Sequence, residues 1–350
     1  MTEMLTVGLN GFGRFGLHLL KYWLDRNEDT PWQIGWINDD TLPLKDAYRL
    51  MLSDDYVIFN KYKVYAEDDS LTFLQPNGRK HVLRYTNCRK DQIPWAGEPD
   101  LFFECSGKNT IAQRCGDFLT GRTRQVLISA TSWDADATLV YGYNHEKWQP
   151  DLRTISYGSC TVNGYVPLAH WFNGMYGLVS SDVNVIHNEA RHKRTGETLL
   201  RKFCTLEKSG PQLLPWLAED RFIVNYTVVP YSGVSMMDMR FRCLRAPTVE
   251  QLASDLSIAM ADGGPLAGLY DMDVADIGPE VYNCTSYSAV IIRNSLRVLH
   301  DEVYFQTYFD TENSVNRFYD LSCFVARRML GQAAGDEGKV VAFTQALEAC

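Results

Sequence analysis

Apolar and polar positions along the chain change period twice in the first forty residues. "MLTVGLN" reads as a strand that ends in a glycine-rich turn, "GFGRFG". The next segment, "LHLLKYWL", has apolar residues at helical spacing, and "WQIGWI" then returns to a strand that closes in "NDD". This is a β-α-β unit of roughly 35 residues. Strand-like runs follow at "KVYA", "LTFLQ", "HVLRY", "LFFECS" and "QVLISA", with helical segments between them, such as 108–120. Alternation of this kind predicts an α/β fold with a Rossmann-type, doubly wound, parallel sheet.

Beyond residue 160 the texture differs. "LVSSDVNVIHN", "FIVNYTVVP", "GVSMMDMRFRCL" and "SAVIIRNSLRVLHDEVYFQTYF" are long alternating runs, and "TVEQLASDLSIAM" between them is an amphipathic helix. They predict an α+β catalytic domain on a mostly antiparallel sheet. The expected division is a domain over 1–159, completed by a C-terminal helix at 314–331, a second domain over 160–313, and a tail at 332–350 with a "GQAAGDEGK" texture.

Composition narrows the classes. The chain has 350 residues, 45% hydrophobic and 22% charged, which suits two domains with sizeable cores. A net charge of −9 argues against nucleic acid or an anionic membrane as partner. The start carries an acidic residue and no basic stretch, unlike a signal peptide, and a cytoplasmic location is expected. Nine scattered cysteines without a C-x-x-C pair read as reduced thiols rather than disulfides or a metal site. Residues 157–181 carry no charge, but Asn163, Pro167, His170, Asn173 and four glycines make a membrane span unfavourable. A buried helix beside a site fits that run better.

Two features carry chemistry. Gly11, Gly13 and Gly16 form G-x-G-x-x-G after a strand and at a helix start, and Asp39 lies 23 residues beyond Gly16 at the end of the next strand. That is where an acid binds the adenosine ribose, while helix N–H groups meet the pyrophosphate. The glycines could instead serve packing alone. Asp39 and Asp40 would repel a 2′-phosphate, so NAD is expected over NADP. The second feature is Cys160 in "YGSCTVNGYVPLAH", between a strand-like and a helix-like stretch, where orphan N–H groups would lower a thiol's pKa. His187 ends the run "DVNVIH". A Cys–His pair brought together by folding is an activated nucleophile, although buried cysteines and lone histidines are common without such a role.

The segments "VGLNGFGRFG", "IND", "FFECSGK", "ISATS…YGYNHE", "SYGSCTVNGYVPLAHWFNGMYGLV", "VIH", "PYSGVSMMDMRFRC" and "NSLRVLHDEVYFQTYFD…NRFYDL" occur in one order over residues 4 to 330. In that order and spacing the chain resembles the phosphorylating glyceraldehyde-3-phosphate dehydrogenases. The resemblance implies Cys160 as nucleophile and His187 as its base. It implies NAD held by Gly11, Gly13, Arg14, Phe15, Gly16, Asp39, Ser129 and Asp310, with Ser159 and Thr161 holding the attacking phosphate, and a homo-oligomer, a tetramer, with a dimer open because the loop after His187 is shorter than the family's. An aldehyde and inorganic phosphate would be the small-molecule partners. Departures fall on substrate recognition. Ala190 stands where the family has a phosphate-binding threonine, Val228 where it has an arginine, and Asp310 where it has an asparagine facing the nicotinamide. The "RHKR" run at 191–194 could supply a relocated anion site through Arg191 and Lys193, or be a solvated loop. A different aldehyde is therefore expected, phosphorylated or otherwise anionic, with one lacking an anion still open, and a non-catalytic NAD-binding paralogue or an acyl-phosphate reductase stays open.

Overall fold

The computed structural model describes residues 4–54, 57–189, 197–231 and 233–331. They divide into two compact units. One holds the residues up to Leu139, His145–Gly158 and those from Phe318 on; the other holds Val140–Asn144 and Ser159–Arg317.

The first unit is built on nine strands: β1 (Leu5–Asn10), β2 (Trp32–Asn38), β3 (Lys63–Glu67), β4 (Ser70–Leu74), β5 (Lys80–Thr86), β6 (Leu101–Glu104), β7 (Gln125–Ile128), β8 (Ala137–Thr138) and β9 (Thr154–Ser156). They order as β3-β4-β5-β2-β1-β6-β7-β9-β8. Every pairing from β5 to β8 in that order is parallel, and only β3–β4 and β4–β5 are antiparallel. The central strands β6 and β7 are buried at every position, as a sheet covered on both faces requires. Helix α1 (Arg14–Arg26) follows β1, and α2 (Leu44–Ser53) follows β2. The helix expected at 108–120 is one turn, α3 (Ala112–Cys115), and then a tighter turn at 116–118. The Asp134 carboxylate accepts from the N–H groups of Ala112 and Gln113, and the helical hydrogen bonding tightens at Gly116.

The second unit holds β10 (Leu178–Asn188), β11 (Leu200–Arg201), β12 (Phe222–Val229), β13 (Ser235–Cys243), β14 (Tyr270–Asp273), β15 (Ala289–Ile292), β16 (Arg297–Leu299) and β17 (Glu302–Phe309). Their order is β11-β12-β10-β13-β17-β15-β14, with β16 on β17. Only β10–β12 and β14–β15 are parallel. Helices α4 (Cys160–Tyr176), α5 (Thr205–Leu213) and α6 (Val249–Met260) belong to this unit. The final helix, α7 (Thr311–Met329), begins three residues before the expected 314, because the Asp310 carboxylate accepts from Asn313 N–H at 2.5 Å and caps it. The charge-free run is α4 and the start of β10. Among the described residues no helix is long and apolar enough to cross a membrane.

Helix α4 carries Pro167 in its interior, which removes an N–H and disrupts the local ladder. The Tyr270 hydroxyl repairs the break. It lies 3.1 Å from the carbonyls of both Asn163 and Gly164 and accepts from Leu168 N–H at 3.2 Å. Phe172 stacks on Phe305 at 5.5 Å and meets Phe241 edge-on at 4.6 Å, seating the helix on the sheet.

Candidate active site

The glycine turn of the first unit is held by close backbone approach. Gly11 has φ +97, and a Cβ there would meet Ser106 N at 2.3 Å. A Cβ on Gly16 would lie 2.1 Å from the Gly11 carbonyl, so the turn and helix α1 touch where only glycine fits. A Cβ on Gly13 would meet nothing within 4 Å. Gly13 is also the N-cap of α1, without a side-chain cap and with no acid in the first turn. Gly13 thus leaves room for a ligand at the positive end of α1, which suits a pyrophosphate.

Asp39 is buried and anchored. Oδ2 accepts from Phe12 N–H at 2.7 Å, and Oδ1 accepts from the Thr41 N–H, the Thr41 hydroxyl and the Leu42 N–H, each at 2.9 Å. The acid at the end of β2 thus fixes the turn, and Oδ2 keeps acceptor capacity for a ribose hydroxyl. Behind it, Asn38 donates to Asn10, Asn10 donates to buried Glu104, and Glu104 accepts from Asn109 and Ser106. Burial raises the Glu104 pKa above the ordinary carboxylate range. Arg14 opens α1. Phe15 packs edge-on against Tyr157 and Phe318, at 5.7 and 5.4 Å, so its ring belongs to the unit's own packing. Ser129 follows β7, its N–H on the Glu104 carbonyl at 2.9 Å. The fold and this turn fit NAD as the cofactor.

In the second unit Cys160 is the first residue of α4 and His187 lies one residue before the end of β10. Their Sγ and Nε2 are 3.5 Å apart. His187 Nδ1 lies 2.6 Å from the Asn188 carbonyl, which can only accept, so Nδ1 carries the proton and Nε2 faces the thiol as an acceptor. Phe309 and Tyr226, both with ring centroids 5.6 Å from the imidazole, hold its plane.

The thiol's immediate setting is polar but enclosed. Ser159, the N-cap of α4, accepts from Val162 N–H, and its hydroxyl lies 3.1 Å from that of Thr161. Thr205, at the start of α5, donates to Ser159 Oγ at 3.0 Å, and buried Cys204 lies 3.6 Å from Thr161 Oγ1. Thr205 and Cys204 escaped the sequence reading, since nothing in "KFCTLEK" announces that α5 begins against the nucleophile's helix. Burial pushes the Cys160 thiol up to about 12, with Cys204 and Asp310 adding to the rise and the Thr161 N–H opposing it. This reverses the expected depression. The helix N-terminus helps a thiolate, but desolvation by the surrounding core is the larger effect.

Val228 pairs in register with His187 across the parallel β10–β12 ladder and is buried. The arginine position of the resemblance is thus an apolar contact beside the histidine's strand. Asp310 is fully buried, with Oδ2 3.4 Å from Cys284 N–H as well as its capping bond. Ala190, Arg191, Lys193 and Arg194 lie outside the described residues. A cation that the sequence reading passed over is Lys202, just after β11, whose Nζ lies 3.0 Å from Glu189, two residues beyond His187.

A parallel dinucleotide-type unit whose first helix starts in a glycine turn and, within the second unit, a Cys–His pair are the features of a dehydrogenase of the nicotinamide-dinucleotide class. The chain is 25% identical over 342 residues to glyceraldehyde-3-phosphate dehydrogenase 2 of Nostoc sp., spanning 93% of this chain and 99% of that protein. It is 24% identical over 351 residues to the cytosolic glyceraldehyde-3-phosphate dehydrogenase of Pisum sativum, spanning 94% and 100%. Over 184 residues, 52% of this chain, it is 31% identical to the enzyme of that name from Lactobacillus delbrueckii subsp. bulgaricus. No family model matches. Over nearly its whole length the chain is thus similar, at low identity, to glyceraldehyde-3-phosphate dehydrogenases.

Proposed function

We propose that the protein oxidises an anionic aldehyde through a thioester on Cys160 and releases an acyl phosphate. The observation that carries this is the 3.5 Å approach of Cys160 Sγ to the unprotonated Nε2 of His187. Nε2 takes the thiol proton as Sγ bonds to the aldehyde carbon and passes it to the new alkoxide, giving a neutral hemithioacetal beside a neutral imidazole. NAD, when bound, supplies the hydride acceptor. His187 then accepts the hydroxyl proton as the hydride leaves, and the Cys160 N–H, at the first turn of α4, would stabilise the developing oxyanion. Inorganic phosphate then attacks the thioester carbonyl and the Cys160 thiolate leaves. Hydroxyls of Ser159, Thr161 and Thr205 form the polar cluster that would position that phosphate.

The residues that distinguish this chain point away from glyceraldehyde-3-phosphate itself. Val228 offers no charge to a substrate phosphate. Arg221 does not stand in for it, because it lies seven residues earlier on the same chain direction, about 20 Å away along a strand. Losing an arginine fork removes a charge-assisted, bidentate partner of about 1.5–3 kcal/mol. The first unit serves as the NAD domain and the second as the catalytic domain of a cytoplasmic homo-oligomer.

The test is an aldehyde panel with NAD, with and without phosphate, followed at the absorbance of reduced cofactor. Phosphate-dependent turnover is expected with an anionic aldehyde, and kcat/KM for glyceraldehyde-3-phosphate is expected at least ~100-fold lower, about 2.7 kcal/mol of transition-state binding. Cys160→Ser should abolish turnover and leave NADH binding within a few-fold. Turnover by that variant would remove Cys160 from the mechanism. The elevated Cys160 thiol favours a second reading, an NAD-binding paralogue with little turnover. Silence of the whole panel together with tight NADH binding would select it.

A further inference from the structure

Asp39 and Asp40, read as two free acids, would both reject a 2′-phosphate. The structure gives both acids partners within the protein. Asp39 spends four acceptor contacts on Phe12, Thr41 and Leu42, leaving one lone-pair direction on Oδ2. Asp40 is joined at 2.6 Å to Lys108 Nζ, and both side chains are open to solvent. Lys108 belongs to the loop after β6, the strand beside β1, and its backbone N–H is held by Ser106 Oγ at 3.1 Å. Ser106 is in turn fixed by Glu104 and lies against Gly11. The lysine's base is therefore tied to the glycine turn while its paired amine stays open to solvent.

We propose that Lys108, with Asp40 as its resting partner, sets how this site treats the cofactor's 2′ group. The proposal rests on the dinucleotide reading of the first unit. Asp39 is the acid expected to take the ribose hydroxyls, and the Asp40–Lys108 pair is carried by the very next residue, so it is the nearest charged pair in the chain to the 2′ group. A 2′-hydroxyl leaves the pair intact. A 2′-phosphate draws the Lys108 ammonium from Asp40, exchanging an exposed ion pair of small worth for a charge-assisted contact with a dianion. The site therefore admits NADP with a modest penalty, rather than excluding it as two unpaired acids would.

The experiment is equilibrium binding of 5′-AMP and 2′,5′-ADP to the full chain at low salt, by calorimetry. In the wild-type protein the two dissociation constants are expected within roughly tenfold of each other. Lys108→Met should weaken 2′,5′-ADP by about tenfold and leave 5′-AMP unchanged, and Asp40→Asn should tighten 2′,5′-ADP severalfold. Retained 5′-AMP binding shows that each variant is folded. An unchanged ratio in Lys108→Met, or equal weakening of both nucleotides, overturns the role assigned to Lys108. If the wild-type protein binds neither nucleotide nor NADH, the dinucleotide reading itself fails and the proposal with it; binding of NADH with an insensitive ratio fails the proposal alone.

Discussion

Cys160 is expected to be a slow thiol in the free protein. Burial holds its pKa up to about 12. At pH 8 the thiolate is then about one part in ten thousand, against roughly a quarter for an unhindered cysteine of pKa about 8.5. Alkylation by iodoacetamide should run roughly three orders of magnitude slower than in an unstructured peptide, and should gain about tenfold per pH unit up to pH 10. The assay is timed labelling from pH 6 to 10.5, with the Cys160 peptide quantified by mass spectrometry. Asp310→Asn tests the cause. It removes a neighbour that raises the thiol and keeps a side chain able to cap α7, so the Cys160 rate at pH 8 should rise severalfold. The linkage runs the same way. A thiol raised on folding adds stability below the unfolded pKa, and that stability is lost as pH climbs from about 8.5 towards 12. Fast labelling at neutral pH, with an inflection between pH 5 and 7, would refute the reasoning and show the imidazole holding a thiolate at rest.

Gly16→Ala should cost roughly 3 kcal/mol, seen as a lowered denaturation midpoint, because the new methyl meets the Gly11 carbonyl at 2.1 Å. Gly13→Ala has open space, so it should keep the midpoint while weakening NADH binding, read by fluorescence titration. His18 is buried and held neutral, its pKa lowered to about 3 by burial and by the charges of Arg14 and Lys21. Its unfolded form takes up a proton below about pH 6.5, so stability should fall on acidification by about 2 kcal/mol at pH 5, and His18→Leu should flatten that part of the urea-midpoint profile. Tyr270→Phe should cost about 1–3 kcal/mol of stability, since Leu168 N–H and the Asn163 and Gly164 carbonyls at the proline break lose their partner.

Local signals were enough for much of this protein. The strand, glycine turn and helix at residues 5–26 follow from period and from glycines that admit no Cβ, and the two sheets differ in the way their hydrophobic patterns differ. The resemblance pointed to Cys160 and His187 as partners, 27 residues apart in the chain. Other properties belong to neighbours distant in sequence. Helix α3 begins where Asp134 caps it from 22 residues away and gives way to a tighter turn at Gly116. The acid Asp39 looks free in the sequence, yet its oxygens are claimed by the turn it supports, and Asp40 is paired with a lysine 68 residues on. The thiol's pKa was misjudged for the same reason. A helix N-terminus is visible in the sequence, whereas the apolar core, Cys204 and Asp310 gather around Cys160 only when the second sheet forms, and desolvation by that assembly outweighs the local dipole.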